Sequence, residues 1–153
     1  MKNEAQSFLE KYEMLFVQME CLQAEWQQWH DLAHSITSMI GGERVKSSSA
    51  QDKMASAVTK CLAMEDEINS QIDKLIAKQN EVKQILFRLD NPTYCKFLHL
   101  KYIQFYSLKE IAEMFHASYE WSTTVHGRAL KSLQVVLDLK GEEYVEGSEP
   151  GRT

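Results

Sequence analysis

Hydrophobic positions in the first forty residues recur at alternating steps of four and three: Phe8, Tyr12, Leu15, Met19, Leu22, Trp26, Trp29, Ala33, Ile36 and Ile40. An unbroken register of this kind predicts one long helix with a single apolar seam. At ~1.5 Å of rise per residue it would run about 50 Å. Gly41-Gly42 predicts its end, and Gly41 to Gln51 reads as a flexible loop. A second seam of Met54, Val58, Cys61, Ile68, Ile72, Leu75, Val82, Leu86 and Leu89 predicts another helix from roughly Asp52 to Leu89, interrupted at Glu65 and Gln79. Two such helices fold most simply into an antiparallel hairpin, each covering the other's seam. The same heptads suit a homodimer through these helices, and the pattern fits both.

Beyond residue 90 the local signals are denser. Asn91 is a good N-cap and Pro92 an ideal first helical residue, opening a third helix that carries Phe97, Leu98, Leu100, Tyr102 and Ile103. Ser107 with Glu110 three residues on forms a capping box, predicting a short helix from Leu108 to Phe115. His116-Ala117-Ser118 reads as a turn, with Ser118 as the N-cap of a last helix from Tyr119 to about Leu139. Gly141 is expected to end that helix and leave 141–153 as an acidic flexible tail. The expected fold is all-α: a long helical hairpin over 1–90, then a three-helix helix-turn-helix module over 91–140. Ala112 supplies the small residue that a close crossing needs, flanked by Ile111 and Phe115. Val125, Ala129, Leu130 and Leu133 supply a buried face on the last helix, so the side from Tyr119 through Lys131 is left outward.

With 2 prolines and 6 glycines in 153 residues, the chain lacks the punctuation of an all-β fold. Its net charge of −5 is unevenly spread: residues 1–40 carry two basic and six acidic groups, whereas 91–140 carry six basic and four acidic. A local basic face is what phosphates feel, so overall acidity does not exclude a nucleic-acid partner. Cys21, Cys61 and Cys95 are odd in number with no CxxC pair, and are expected to be small buried hydrophobes in a reducing compartment. The start, MKNEAQSFLEKYE, has no apolar core of a secretory signal, and no apolar run approaches ~18 residues; a cytoplasmic protein without a membrane partner is expected. His30 and His34, like Cys95 and His99, have a spacing that a metal can use but no third ligand, so they are expected to be ordinary side chains. Trp26 and Trp29 lie in the heptad register, which points to core or dimer seam. His126 has no evident acid to orient it as a base, and there is no P-loop, glycine-rich nucleotide turn or nucleophile elbow. Neither enzyme activity nor a cofactor is expected.

The stretches Ser107-Leu108-Lys109-Glu110-Ile111-Ala112, Phe115-His116-Ala117-Ser118 and Arg128-Ala129-Leu130-Lys131-Ser132-Leu133 resemble region four of bacterial sigma factors. More narrowly, Ser118-Tyr119-Glu120-Trp121 and His126-Gly127-Arg128-Ala129-Leu130, behind Leu100-Lys101-Tyr102-Ile103, are similar to short phage-encoded regulators of Gram-positive bacteria, the RinA/ArpU-like late transcription regulators. The resemblance is specific over about 92–134. It implies regulation of phage or prophage late genes through double-stranded promoter DNA, with contact to RNA polymerase. By position, Tyr119, Glu120, Trp121, Thr123 and Thr124 would meet bases, while Lys109, Ser118, Arg128 and Lys131 would meet phosphates. The chemistry agrees: hydroxyls contact phosphates or bases and a glutamate accepts from cytosine N4. Arg128 and Lys131 would equally counter a helix C-terminal dipole. Three departures stand out, the first being that the exposed face has none of the several arginines that sigma factors present there. Ser122 replaces an aliphatic anchor, which predicts looser packing, and His116 replaces a common turn glycine. The competing function is a protein-interaction module that docks on RNA polymerase, or a phage packaging or structural component, without sequence-specific DNA binding.

Overall fold

The computed structural model describes residues 3–40 and 48–146, and every regular element among them is helical. In chain order they are α1 (Glu4–Ile40), α2 (Ser48–Leu86), α3 (Pro92–Tyr102), α4 (Leu108–Met114) and α5 (Tyr119–Glu146). Helix α2 starts and ends a few residues earlier than its seam predicts. Residues 48–51 of the expected loop are helical, and the rest of it, 41–47, lies outside the described residues. Helix α5 overturns the expected stop at Gly141: it runs through the glycine, whose backbone keeps a negative φ. Of the expected flexible tail, 141–146 is therefore helix, and 147–153 lies outside the described residues. No helix is long and apolar enough to cross a membrane among the described residues.

The chain divides into two compact units, with the divisions falling within α1 and α2. Leu15–Ile76 forms one of them. Here Gln71 of α2, itself buried, donates its amide N–H groups to the Leu15 carbonyl at 2.9 Å and to Gln18 Oε1 at 3.2 Å. Farther along α1, Trp26 stacks on His30 at 4.7 Å and His30 meets His34 edge-on at 4.5 Å; these rings share a cleft with Val58, Cys61 and Leu62. The seam of α2 is shifted from the expected one. Ala57, Cys61, Met64, Gln71 and Leu75 are buried in steps of threes, fours and sevens, while Val58 is exposed and Glu65 lies outside the line. Trp26 and Trp29 are half-buried. The cysteines do not share one environment: Cys61 is buried, Cys95 half-buried and Cys21 exposed, contrary to the expectation for all three.

The other unit joins the described residues up to Met14 with those from Ala77 onward. Its core gathers Leu9 of α1, Val82, Ile85 and Leu86 of α2, Phe97 and Leu98 of α3, Ile111 of α4 and Leu133 of α5, all essentially without exposure. Local chemistry fixes each helix start. Asn91 Oδ1 accepts from the Thr93 and Tyr94 amides ahead of Pro92. Ser107 and Glu110 complete a reciprocal capping box, with the Ser107 amide 2.7 Å from the Glu110 carboxylate. The end of α4 is a Schellman turn: the Ala117 amide donates to the Ala112 carbonyl at 2.9 Å, and that of His116 to Glu113 at 3.1 Å. His116 takes the left-handed position at φ 53°, where the sequence offers no glycine. Phe105, between α3 and α4, is also left-handed at φ 61°, and its ring lies parallel to that of Tyr12 at 5.9 Å.

Candidate nucleic-acid interface

Helix α5 begins where the Ser118 hydroxyl accepts the Trp121 amide at 3.1 Å, leaving its own hydrogen able to donate outward. A rotation of ~100° per residue then sorts the helix into two sides. Ser122, Val125, Ala129 and Leu133 face α3 and α4 and are buried. Glu120, Thr123, Thr124, Gly127 and Lys131 lie opposite and are exposed, with Tyr119 and Arg128 at the margins, also exposed. Lys109 stands exposed in the first turn of α4. Ser122 is completely buried at the position of the expected aliphatic anchor. Its hydroxyl donates to the Tyr119 carbonyl at 2.6 Å, which satisfies the polar group within its own helix and lets α5 approach closely.

Trp121 is the exception among the expected base-contacting residues. Its ring packs against Phe115 at 5.2 Å and, edge-on, against Phe97 at 6.1 Å. That half-buried indole holds α5 to α3 and the α4 turn instead of lying on the outward side. Its spacing carried the signal, since Trp121 precedes Val125 and Ala129 by four and eight residues, along the buried line. Thr123 lies outward as expected, although its hydroxyl is engaged with the Glu120 carbonyl at 2.8 Å. The outward side from Tyr119 to Lys131 spans about 18 Å. One turn farther, α1 covers it: the Ala5 amide donates to Gln134 Oε1 at 2.9 Å, and Gln134 Nε2 donates to the Glu4 carboxylate at 3.3 Å.

A cation the sequence did not single out is Lys96 of α3, whose ammonium sits 5.2 Å from the centre of the Phe115 ring. This places positive charge beside the turn that introduces α5. On the inner side, Phe97 and Tyr102 of α3 grip His126. The Tyr102 hydroxyl is 2.7 Å from His126 Nε2, with the rings stacked at 5.8 Å, and Phe97 lies 6.2 Å away. Burial, reinforced by the Lys101 charge, lowers the His126 pKa, so the ring is neutral near pH 7 and shares one hydrogen with the Tyr102 hydroxyl. Burial, and then the Glu10 and Glu13 carboxylates, push the Tyr102 phenol well above its usual range. Both groups therefore act as neutral packing and hydrogen-bonding partners at pH 7. The outward side of α5 offers hydroxyls, one carboxylate and two cations on a rigidly held rod, a set able to bind a polyanion and read its donors and acceptors. Among the described residues no group of three histidine, cysteine or acidic side chains is placed to hold a metal ion. Compared with known proteins, the chain matches no family model, no curated protein and no solved structure.

Proposed function

We propose that the chain is a DNA-binding transcriptional regulator whose α4–turn–α5 segment acts as a helix-turn-helix, with α5 entering the major groove. The observation that carries this proposal is the outward side of α5. Tyr119, Glu120, Thr123, Thr124, Arg128 and Lys131 are all exposed there, on a helix anchored by Ser122, Val125, Ala129 and Leu133. An exposed length of about 18 Å suits a groove about 12 Å wide. Glu120, Thr123, Thr124 and Tyr119 are proposed to meet base edges, and Lys109, Ser118, Arg128 and Lys131 to meet phosphates, with Lys96 added to that set. Trp121 is assigned to packing. Regulation of phage or prophage late genes rests on the resemblance to RinA/ArpU-like regulators. Self-association through α1 and α2, completing a hairpin-based homodimer, is supported by the exposed Val17, Leu32, Val58 and Leu62.

Binding to a labelled duplex across a salt series tests the proposal. Wild type should lose affinity steeply with salt, and R128A/K131A should bind weakly on every sequence with a log–log slope shallower by about 2. Equal affinity and equal slope for the double variant would reject the phosphate role. Docking on RNA polymerase is a second proposal, supported by the exposed apolar side chains Phe87, Val135 and Leu139. Polymerase capture that survives R128A/K131A but is lost in F87A/L139A would establish it.

A further inference from the structure

Gly127 stands at the centre of the outward side of α5, nine residues into a helix of 28. Glycine in a helix interior is unfavourable relative to alanine, because it loses more backbone freedom and covers no surface. A chain keeps one there when φ must be positive or when another part of the fold comes too close for a Cβ. Neither applies. No glycine among the described residues has a positive φ, and a Cβ built at Gly127 would meet nothing within 4 Å. The fold itself therefore has no use for this glycine.

Its surroundings point outward. Glu120, Thr123, Thr124 and Lys131 lie within about 60° of it around the helix, and Arg128 adjoins it. The Thr123 hydroxyl is held on the Glu120 carbonyl at 2.8 Å, and Lys131 lies one turn beyond the glycine on the same side. A bare backbone flanked by hydroxyls, two cations and the Glu120 carboxylate matches a groove that comes close to the helix axis and presents both phosphates and base-edge donors. From these features we infer that Gly127 is the point of closest approach between α5 and duplex DNA, where the missing side chain lets the helix seat against the base edges. The inference rests on the DNA-binding proposal and adds to it a specific steric contact.

The test sets stability against affinity. G127A should raise Tm by about 2–4 °C, the usual gain for an exposed helical glycine in a chain of this size. The same variant should bind a labelled random-sequence 30-base-pair duplex at least tenfold more weakly at about 50 mM salt. G127M, whose helix propensity is close to that of alanine, should bind more weakly still, because the loss follows side-chain size. G141A provides the internal comparison: Gly141 also has nothing within 4 Å of its Cβ position but lies about 21 Å farther along α5. It should stabilise the fold and leave binding unchanged. If wild type binds and G127A binds equally well or better, the close approach is wrong while DNA binding stands. Equal losses in G127A and G127M would also overturn it, since helix stiffening and not bulk would then be responsible. If wild type binds no duplex even at low salt, both the inference and the function it rests on fail.

Discussion

Replacing Phe97 by alanine probes the contact on which the orientation of α5 depends. Phe97 has no exposed surface, meets Trp121 edge-on at 6.1 Å, and lies 6.2 Å from the His126 ring. Removing the ring withdraws roughly 150 Å² of apolar contact, or about 3.5–4 kcal/mol at ~25 cal/mol per Å². Loss of the aromatic pairing with Trp121 adds about 0.5–1 kcal/mol, which gives a total near the upper part of the ~3–5 kcal/mol range for Phe→Ala in cores. With an m-value of about 2 kcal/mol/M, the urea midpoint should fall by roughly 2 M. The chain has 3 tryptophans, and Trp26 and Trp29 lie in the other unit, so W26F/W29F leaves Trp121 as sole reporter. In that background F97A should unfold earlier by both Trp121 fluorescence and circular dichroism, and the native emission of Trp121 should shift as its ring loses its neighbour. A loss below about 1.5 kcal/mol, with unchanged native emission, would show that Phe97 does not hold α5 in place.

The His126 ring gives a pH dependence of defined sign. Its pKa is lowered by burial and by Lys101, so the unfolded chain binds the proton more readily; stability should be full above about pH 6.5 and decline as pH falls below it. H126Q should flatten that decline between pH 7 and pH 5 in thermal melts, and an unchanged slope would refute the assignment. S107A removes one half of the capping box at α4 and should lower stability by about 1 kcal/mol in urea titration, whereas no loss would mean that the box is dispensable. The Glu110 half, whose pKa is lowered by its hydrogen bonds to Ser107, is present above about pH 4.5 and should be lost under more acidic conditions.

The helix starts were legible because they are local stereochemistry. Asn91-Pro92, the Ser107–Glu110 pair and Ser118 each satisfy amides within three residues, and each cap is found where the sequence places it. The seam of α2 was less legible. Large aliphatics such as Val58 attract attention, yet the buried positions are Ala57, Met64 and Gln71, and which face is covered depends on the neighbouring elements as well as on hydrophobicity. The same limit hid Lys96, because its position beside Phe115 depends on how α3 meets the α4–α5 turn. The left-handed Phe105 gave no sign either, since its conformation accompanies a ring stack on Tyr12 about ninety positions away. Gly141 misled in the opposite direction: glycine permits a helix to end but does not require it.

Gln71 does more in the α1–α2 pair than fill space. An all-aliphatic seam with a heptad repeat can slip by seven residues and still bury leucines against leucines. Here such a slip would pull the glutamine amide away from the Leu15 carbonyl and the Gln18 side chain, leaving the donors of a buried side chain without these partners. One amide thus discriminates the native alignment from its nearest competitors, as a key tooth does in a lock.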